Sequence, residues 1–153
     1  MKTLNLKIPP VVIGAITALL IWGSARLLSQ SSWDFSIRLT LCLCFFVIGA
    51  VIALSGVVQF RKTKTTVNPT APHHASALVS DGIYNYTRNP MYLGLALVLA
   101  AIVFFFGKMI LLFWVLCFVL YMTQFQIKPE EEVLQQKFGN TFEAYKKSVR
   151  RWV

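Results

Sequence analysis

Residues 89–127, NPMYLGLALVLAAIVFFFGKMILLFWVLCFVLYMTQFQI, carry a single charged residue, Lys108, in 39 positions. Lys108 splits them into 89–107 and 109–127, two runs of 19 residues. Each run approaches the ~20 residues with which a helix crosses a ~30 Å hydrocarbon core. With one residue between them, beside Gly107, they must form a tight antiparallel hairpin. Working outward, two further runs lack Asp, Glu, Lys and Arg: 8–25 (18 residues) and 39–60 (22 residues). The expected fold is all-α, an integral membrane helical bundle of four transmembrane helices in a single domain, 1–153. Its spans lie at about 8–28, 39–60, 89–107 and 109–127, joined by a polar loop, 61–88, and followed by a tail, 128–153.

Composition agrees. Of 153 residues, 56% are hydrophobic and 14% charged, whereas soluble domains carry roughly 25% charged residues. Mean hydropathy is +0.61. Apolar residues gathered in uncharged runs exclude a soluble globule, a disordered chain, a coiled coil and a disulfide scaffold. The first run is too long for a cleavable signal's ~7–15-residue core and lacks a small-x-small site after it, so it is expected to stay as a helix.

The net charge is +9, and 12 of the 15 Lys and Arg fall in the N-terminus, loop and tail. Alternating spans put these three on one side, which the positive-inside rule makes cytoplasmic. The expected location is a bacterial inner membrane with both termini in the cytoplasm. The cations flank spans rather than forming a stripe, so they serve anionic headgroups and not nucleic acid. Cys42, Cys44 and Cys117 lie inside spans and read as packing residues. His73 and His74 are the only histidines, too few for a structural or catalytic zinc; no metal is expected.

Chemistry gathers in the polar segments. In the loop, Asn68-Pro69 and Asp81-Gly82 are turn signals flanking the apolar pair Leu78-Val79. Asn89-Pro90 reads as cap and first turn of the third span. The tail opens Lys128-Pro129-Glu130-Glu131-Glu132, a helix start whose acids suit the positive end of the dipole. Its apolar Val133, Leu134, Phe138, Phe142, Tyr145 and Val149 recur at helical spacing, with a break expected at Gly139-Asn140. This amphipathic helix should lie along the headgroups with Trp152 as an interfacial anchor. The acids also have a bland reading, as capping alone. Position adds more: they leave the fourth span where Arg88-Asn89-Pro90-Met91-Tyr92 enters the third, so both stretches must meet at one rim. Carboxylates, an arginine, Tyr84 and Tyr92 there can form a pocket for a polar, cationic ligand.

Leu78-Val79-x-x-Gly82-x-Tyr84, Arg88-Asn89-Pro90-Met91-Tyr92-x-Gly94 and Glu130-Glu131-x-x-Leu134-x-x-x-Phe138-Gly139, with Tyr145 and Val149-x-Arg151-Trp152, resemble the isoprenylcysteine carboxyl methyltransferase and phospholipid methyltransferase superfamily. The resemblance covers the chain from Ser76 onward. It implies an integral-membrane enzyme using S-adenosylmethionine without a Rossmann fold. It assigns the cofactor to Leu78, Val79, Tyr84, Asn89, Pro90, Met91, Tyr92, Glu130 and Glu131. Asn89 stands where many members have His, and Gln126 where prenylcysteine enzymes carry an Arg linked to substrate recognition.

Methyl transfer is an in-line displacement, which needs positioning and exclusion of water rather than a metal. Arg88 and Glu131 are the candidate catalytic residues and Gln126 the candidate substrate contact. The expected acceptor is a lipid or amphiphilic small molecule. A carboxylate is favoured slightly over an ammonium, which must first lose a proton; a phospholipid amine is the alternative. Two rival readings stand beside these, an NADPH-dependent membrane reductase of sterol-reductase type and a non-catalytic membrane scaffold.

Overall fold

A computed structural model describes residues 6–63 and 77–153. The turn expected at Asn68-Pro69 and the pair His73-His74 lie outside the described residues. The elements in order are α1 (Pro10–Leu27), α2 (Phe35–Lys62), a 3-10 turn (Gly82–Asn85), α3 (Pro90–Phe106), a second 3-10 turn (Met109–Leu111), α4 (Leu112–Tyr121), a π-helical segment (Met122–Ile127) and α5 (Lys128–Ser148). Among the described residues there is no strand.

Local chemistry sets the ends of these helices. Pro10 and Pro90 start α1 and α3 at positions where a missing N–H costs nothing. The Asp34 carboxylate caps α2 by accepting from the Ser36 N–H at 2.8 Å. Arg61 and Lys62 face the negative end of that helix's dipole. Gly107 closes α3 at φ 63°, the left-handed conformation that makes the hairpin turn possible. Three helical stretches are long and apolar enough to cross a membrane: α1, α2 and the continuous helix Met109–Ser148. At 17 residues, α3 is apolar but shorter.

α3 is the central element. Gly49 and Gly94 bring α2 against it backbone to backbone, so that a Cβ at Gly94 would fall 2.7 Å from the Ala53 methyl. On α1, Gly14 meets Leu95. Trp114 donates to the Ser24 hydroxyl at 3.0 Å, tying α4 to α1. Ile21, Leu99, Val103, Phe118, Met122 and Ile127 fill the core. A second cluster, Val79, Tyr84, Phe142, Tyr145 and Val149, joins the loop to the tail.

The tail differs from its expected form in two ways. No break separates α4 from α5, although Pro129 was expected to start a fresh helix. Pro129 cannot donate to the Phe125 carbonyl four residues back, and the widened π turn absorbs the misfit. The freed Phe125 carbonyl accepts from the Leu6 N–H at 3.1 Å. Trp152 is also no free anchor: its indole N–H donates to Thr123 Oγ1 at 3.1 Å and its ring packs on the core. The break expected at Gly139-Asn140 is present as a kink at Gly139, φ 52°.

Candidate active site

The loop, the start of α3, the π segment and α5 converge on one cleft of about 670 Å³, counting its open mouth. Gly82, at φ 63°, turns the chain into the 3-10 turn that delivers Tyr84. Leu78, Val79, Tyr84, Arg88, Asn89, Met91, Tyr92, Glu130 and Glu131 all line the cleft. Pro90 does not: it is buried at the first position of α3, with its ring against Gly56. Gln126 lies behind the wall, also buried.

The two acids have opposite surroundings. Glu131 is clamped by two arginines. Its Oε1 accepts from Arg88 Nη2 at 2.7 Å and Arg151 Nε at 3.0 Å, and its Oε2 from Arg151 Nη2 at 2.6 Å. Burial alone would raise this carboxyl, but the hydrogen bonds from Arg151 and Arg88 outweigh it and hold it below the usual carboxylate range. Glu130 meets only neutral partners. Its Oε1 accepts from the Tyr92 hydroxyl at 2.5 Å and from Gln126 Nε2 at 2.8 Å. Burial pushes it up to about 7, with the negative charge of Glu131 adding to the rise and the two hydrogen bonds opposing it.

The chain end forms the back of the site. Arg88 donates from Nη1 to the carbonyls of Lys146 and Val149, and its own N–H to the Arg150 carbonyl. The Asn89 side-chain amide donates to the Arg151 carbonyl at 2.8 Å. The Tyr145 hydroxyl donates to the Tyr84 carbonyl at 2.8 Å, fixing the loop to α5. Among the described residues three buried side-chain polar atoms lack a hydrogen-bond partner; the Tyr84 hydroxyl and Arg88 Nε belong to cleft-lining residues, and the third, Arg38 Nε, lies at the opposite end of the bundle. Burial raises the Tyr84 phenol further above its ordinary range, so it stays a neutral donor.

Sequence reasoning missed Phe60, Ile127, Phe142 and Tyr145 as cleft walls, and Arg151 as the second clamp. Arg151 and Tyr145 sit within the motifs quoted above, and Phe142 and Tyr145 on the apolar face of the tail; Phe60, at the end of α2, gave no signal. Among the described residues no group of His, Cys, Asp and Glu could hold a metal, and Cys42, Cys44 and Cys117 are free.

The chain matches the family described as phospholipid methyltransferase over residues 37–141. It is 43% identical over 63 residues to an uncharacterized protein of Haemophilus influenzae, covering 41% of this chain and all of that one. It is 30% identical over 118 residues to the protein-S-isoprenylcysteine O-methyltransferase of Schizosaccharomyces pombe, covering 75% of this chain and 49% of that one. The chain thus spans about half the length of that second relative. No solved structure matches. With its apolar helices, this is an integral membrane protein, and the extent of the family match decides its kinship: the chain belongs to the phospholipid methyltransferase family.

Proposed function

We propose that the protein transfers a methyl group from S-adenosylmethionine to a lipid-like acceptor, and that it crosses a bacterial inner membrane four times with the cleft and both termini cytoplasmic. The observation that carries this reading is the pairing of Glu130, with a pKa of about 7, and the unpartnered Tyr84 hydroxyl in one cleft between the loop and α5. The residues present suit such a cofactor. Tyr84, Phe60, Phe142 and Tyr145 offer aromatic surface to an adenine or a cation. The Tyr84 hydroxyl and Arg88 Nε are donors in need of acceptors. Glu130 accepts hydroxyl or amino protons. When bound, S-adenosylmethionine supplies a methyl group already activated on a sulfonium.

The chain's own residues do the rest. Glu131 aligns Arg88 and Arg151 and so holds the chain end against the loop. Tyr92 and Gln126 orient Glu130. The apolar walls exclude water, which strengthens electrostatic interactions inside. At neutral pH Glu130 is poised to take a proton from an ammonium. The slight preference for a carboxylate acceptor follows from an ammonium's need to lose a proton, and Glu130 meets that need. Arg88 and Arg151 are engaged by Glu131, and the donor left over, Arg88 Nε, suits the cofactor's own carboxylate; among the described residues lining the cleft no further Lys or Arg then remains for a carboxylate acceptor or the 2′-phosphate of NADPH. We therefore read the acceptor as an amine-bearing amphiphile, with the carboxylate as the alternative.

Membranes containing the protein, incubated with methyl-labelled S-adenosylmethionine, test this. Label in extracted lipids that survives alkali supports an N-methyl product. Label released by alkali as methanol marks an ester and overturns the amine assignment. No label over background in any extract overturns the transferase reading.

A further inference from the structure

A second hollow, of about 440 Å³ with its open side, lies at the hairpin end, lined by Gln30, Ser31, Arg38, Phe106 and Lys108. It shares no residue with the cleft. The 17 residues of α3 separate the two, a rise of about 25 Å against the ~30 Å of a hydrocarbon core. With the Arg88 cluster at one membrane edge, the hollow therefore sits near the headgroups of the opposite leaflet. Trp22, Trp33 and Trp114, three of the four tryptophans, stand towards that same end, as side chains of a membrane interface do. Helix capping uses only part of the donors gathered there. Lys108 Nζ carries three N–H groups, and it donates to two carbonyls, those of Ala25 and Leu28. Arg38 lays its guanidinium over the Phe35 ring, 5.5 Å from the centroid, and donates from Nη1 to the Phe105 carbonyl. Its Nε is buried without a partner, and Nε with Nη2 is an edge on which Arg grips an oxyanion side-on. Gly107 seats the stem of that side chain, since a Cβ there would overlap Arg38 Cδ.

Among the described residues neither Arg38 nor Lys108 forms an ion pair. Asp34 offsets Arg38 in part, but its carboxylate caps α2 at the Ser36 N–H and does not line the hollow. We infer that this hollow binds a phosphate group, and that the occupant is the headgroup phosphate of an anionic phospholipid in the leaflet opposite the cleft. A turn of the Arg38 side chain frees the Nε and Nη2 edge for two phosphate oxygens, Lys108 adds its third N–H, and Gln30 adds an amide. Phe35, Phe105 and Ile110, all exposed beside the lining residues, offer apolar surface to acyl chains, which a free phosphate would not need. No acid lines the hollow, so a headgroup ammonium finds no partner and an anionic lipid is preferred to a zwitterionic one. The inference is independent of the methyl-transfer reading, because the hollow and the cleft lie at opposite ends of α3.

The test titrates the full chain, stripped of lipid in detergent, with short-chain phosphatidylglycerol, the matching phosphatidylcholine or inorganic phosphate, and counts bound molecules by native mass spectrometry. The wild type should retain one phosphatidylglycerol saturably and about tenfold more tightly than phosphatidylcholine, with inorganic phosphate weaker still. Arg38→Gln, which removes both the charge and the fork, should abolish that preference. Arg38→Lys keeps the charge and should lose it only in part, about two- to threefold. Arg61→Gln, a charge removed at the loop end, should leave it unchanged. Unfolding temperatures without lipid show whether each variant folds, and the milder Arg38→Lys keeps the test decisive where Arg38→Gln does not. Inorganic phosphate held as tightly as phosphatidylglycerol, and lost in Arg38→Gln, supports the phosphate site and overturns the lipid as its occupant. A preference that survives in a folded Arg38→Gln, or falls equally in Arg61→Gln, overturns the site, because the lipid is then drawn only by the chain's overall positive charge.

Discussion

At the loop end of the bundle, Arg88 and Arg151 close on a carboxylate, whereas at the hairpin end Arg38 and Lys108 donate to backbone carbonyls and Arg38 Nε stays without a partner. Lys108 Nζ donates to the carbonyls of Ala25 and Leu28, at 2.5 and 3.1 Å, at the end of α1. Arg38 Nη1 reaches the Phe105 carbonyl at 3.4 Å, and the Ser31 hydroxyl donates to the Gly107 carbonyl at 2.9 Å. Both ends use cations near helix termini. The hairpin end has no acid among these partners, so its cations finish helices whose last carbonyls would otherwise lack donors. At the loop end Glu131 absorbs the two arginines, and that leaves Glu130 beside it with only neutral partners. Paired acids thus divide the labour: one holds the fold so that the other can titrate near neutrality.

Substitutions at the two ends should separate these tasks. The largest effect is expected from Glu131→Ala, which strands two partly buried guanidiniums. Stability should fall by about 3 kcal/mol, the low end for a broken buried pair because Arg151 is partly exposed, and cofactor binding should go with it. Thermal unfolding in detergent and adenosylmethionine titration read both losses. A variant that unfolds normally would break the comparison.

Glu130→Gln should leave the fold intact and cut transfer about 100-fold or more, as for loss of a general base. Its pH dependence gives a second signature. The folded pKa of about 7 lies above the ~4.3 of an unfolded Glu, so the folded state binds the proton more tightly. Wild-type stability should therefore decline as pH rises from about 4.5 through 7 and level off above, and Glu130→Gln should lose that decline. An unchanged pH profile would mean that Glu130 does not carry the shift.

At the hairpin end, Lys108→Met should lower stability by about 1 kcal/mol through loss of the α1 cap and leave adenosylmethionine affinity unchanged. A fall in affinity would show the two ends to be coupled. Trp152→Phe, which removes one hydrogen bond to Thr123, should cost about 1 kcal/mol or less, detectable as a small drop in unfolding temperature.

Much of the architecture was legible because it is local. Pro10, Asp34, Pro90 and Gly107 mark helix ends through their own backbone chemistry, and the kink at Gly139 was readable for the same reason. The continuity from α4 into α5 was not. Pro129 argues for a new helix unless the chain can adopt a π turn, and the turn's free carbonyl is met by Leu6, more than a hundred residues away in sequence. Trp152 escaped for a similar reason, since its tryptophan chemistry suits an interface and a buried hydrogen bond equally.

By itself the sequence determined the apolar helices, the hairpin, the family motifs and the two stretches that would meet at a rim, because these follow from periodicity, charge and chain connectivity. Only the tertiary structure decided which glutamate is clamped and which is free to titrate. Tyr92 reaches Glu130 across 38 residues and Arg88 reaches Glu131 across 43, so neighbouring acids of one type acquire different proton affinities from partners that lie far away along the chain.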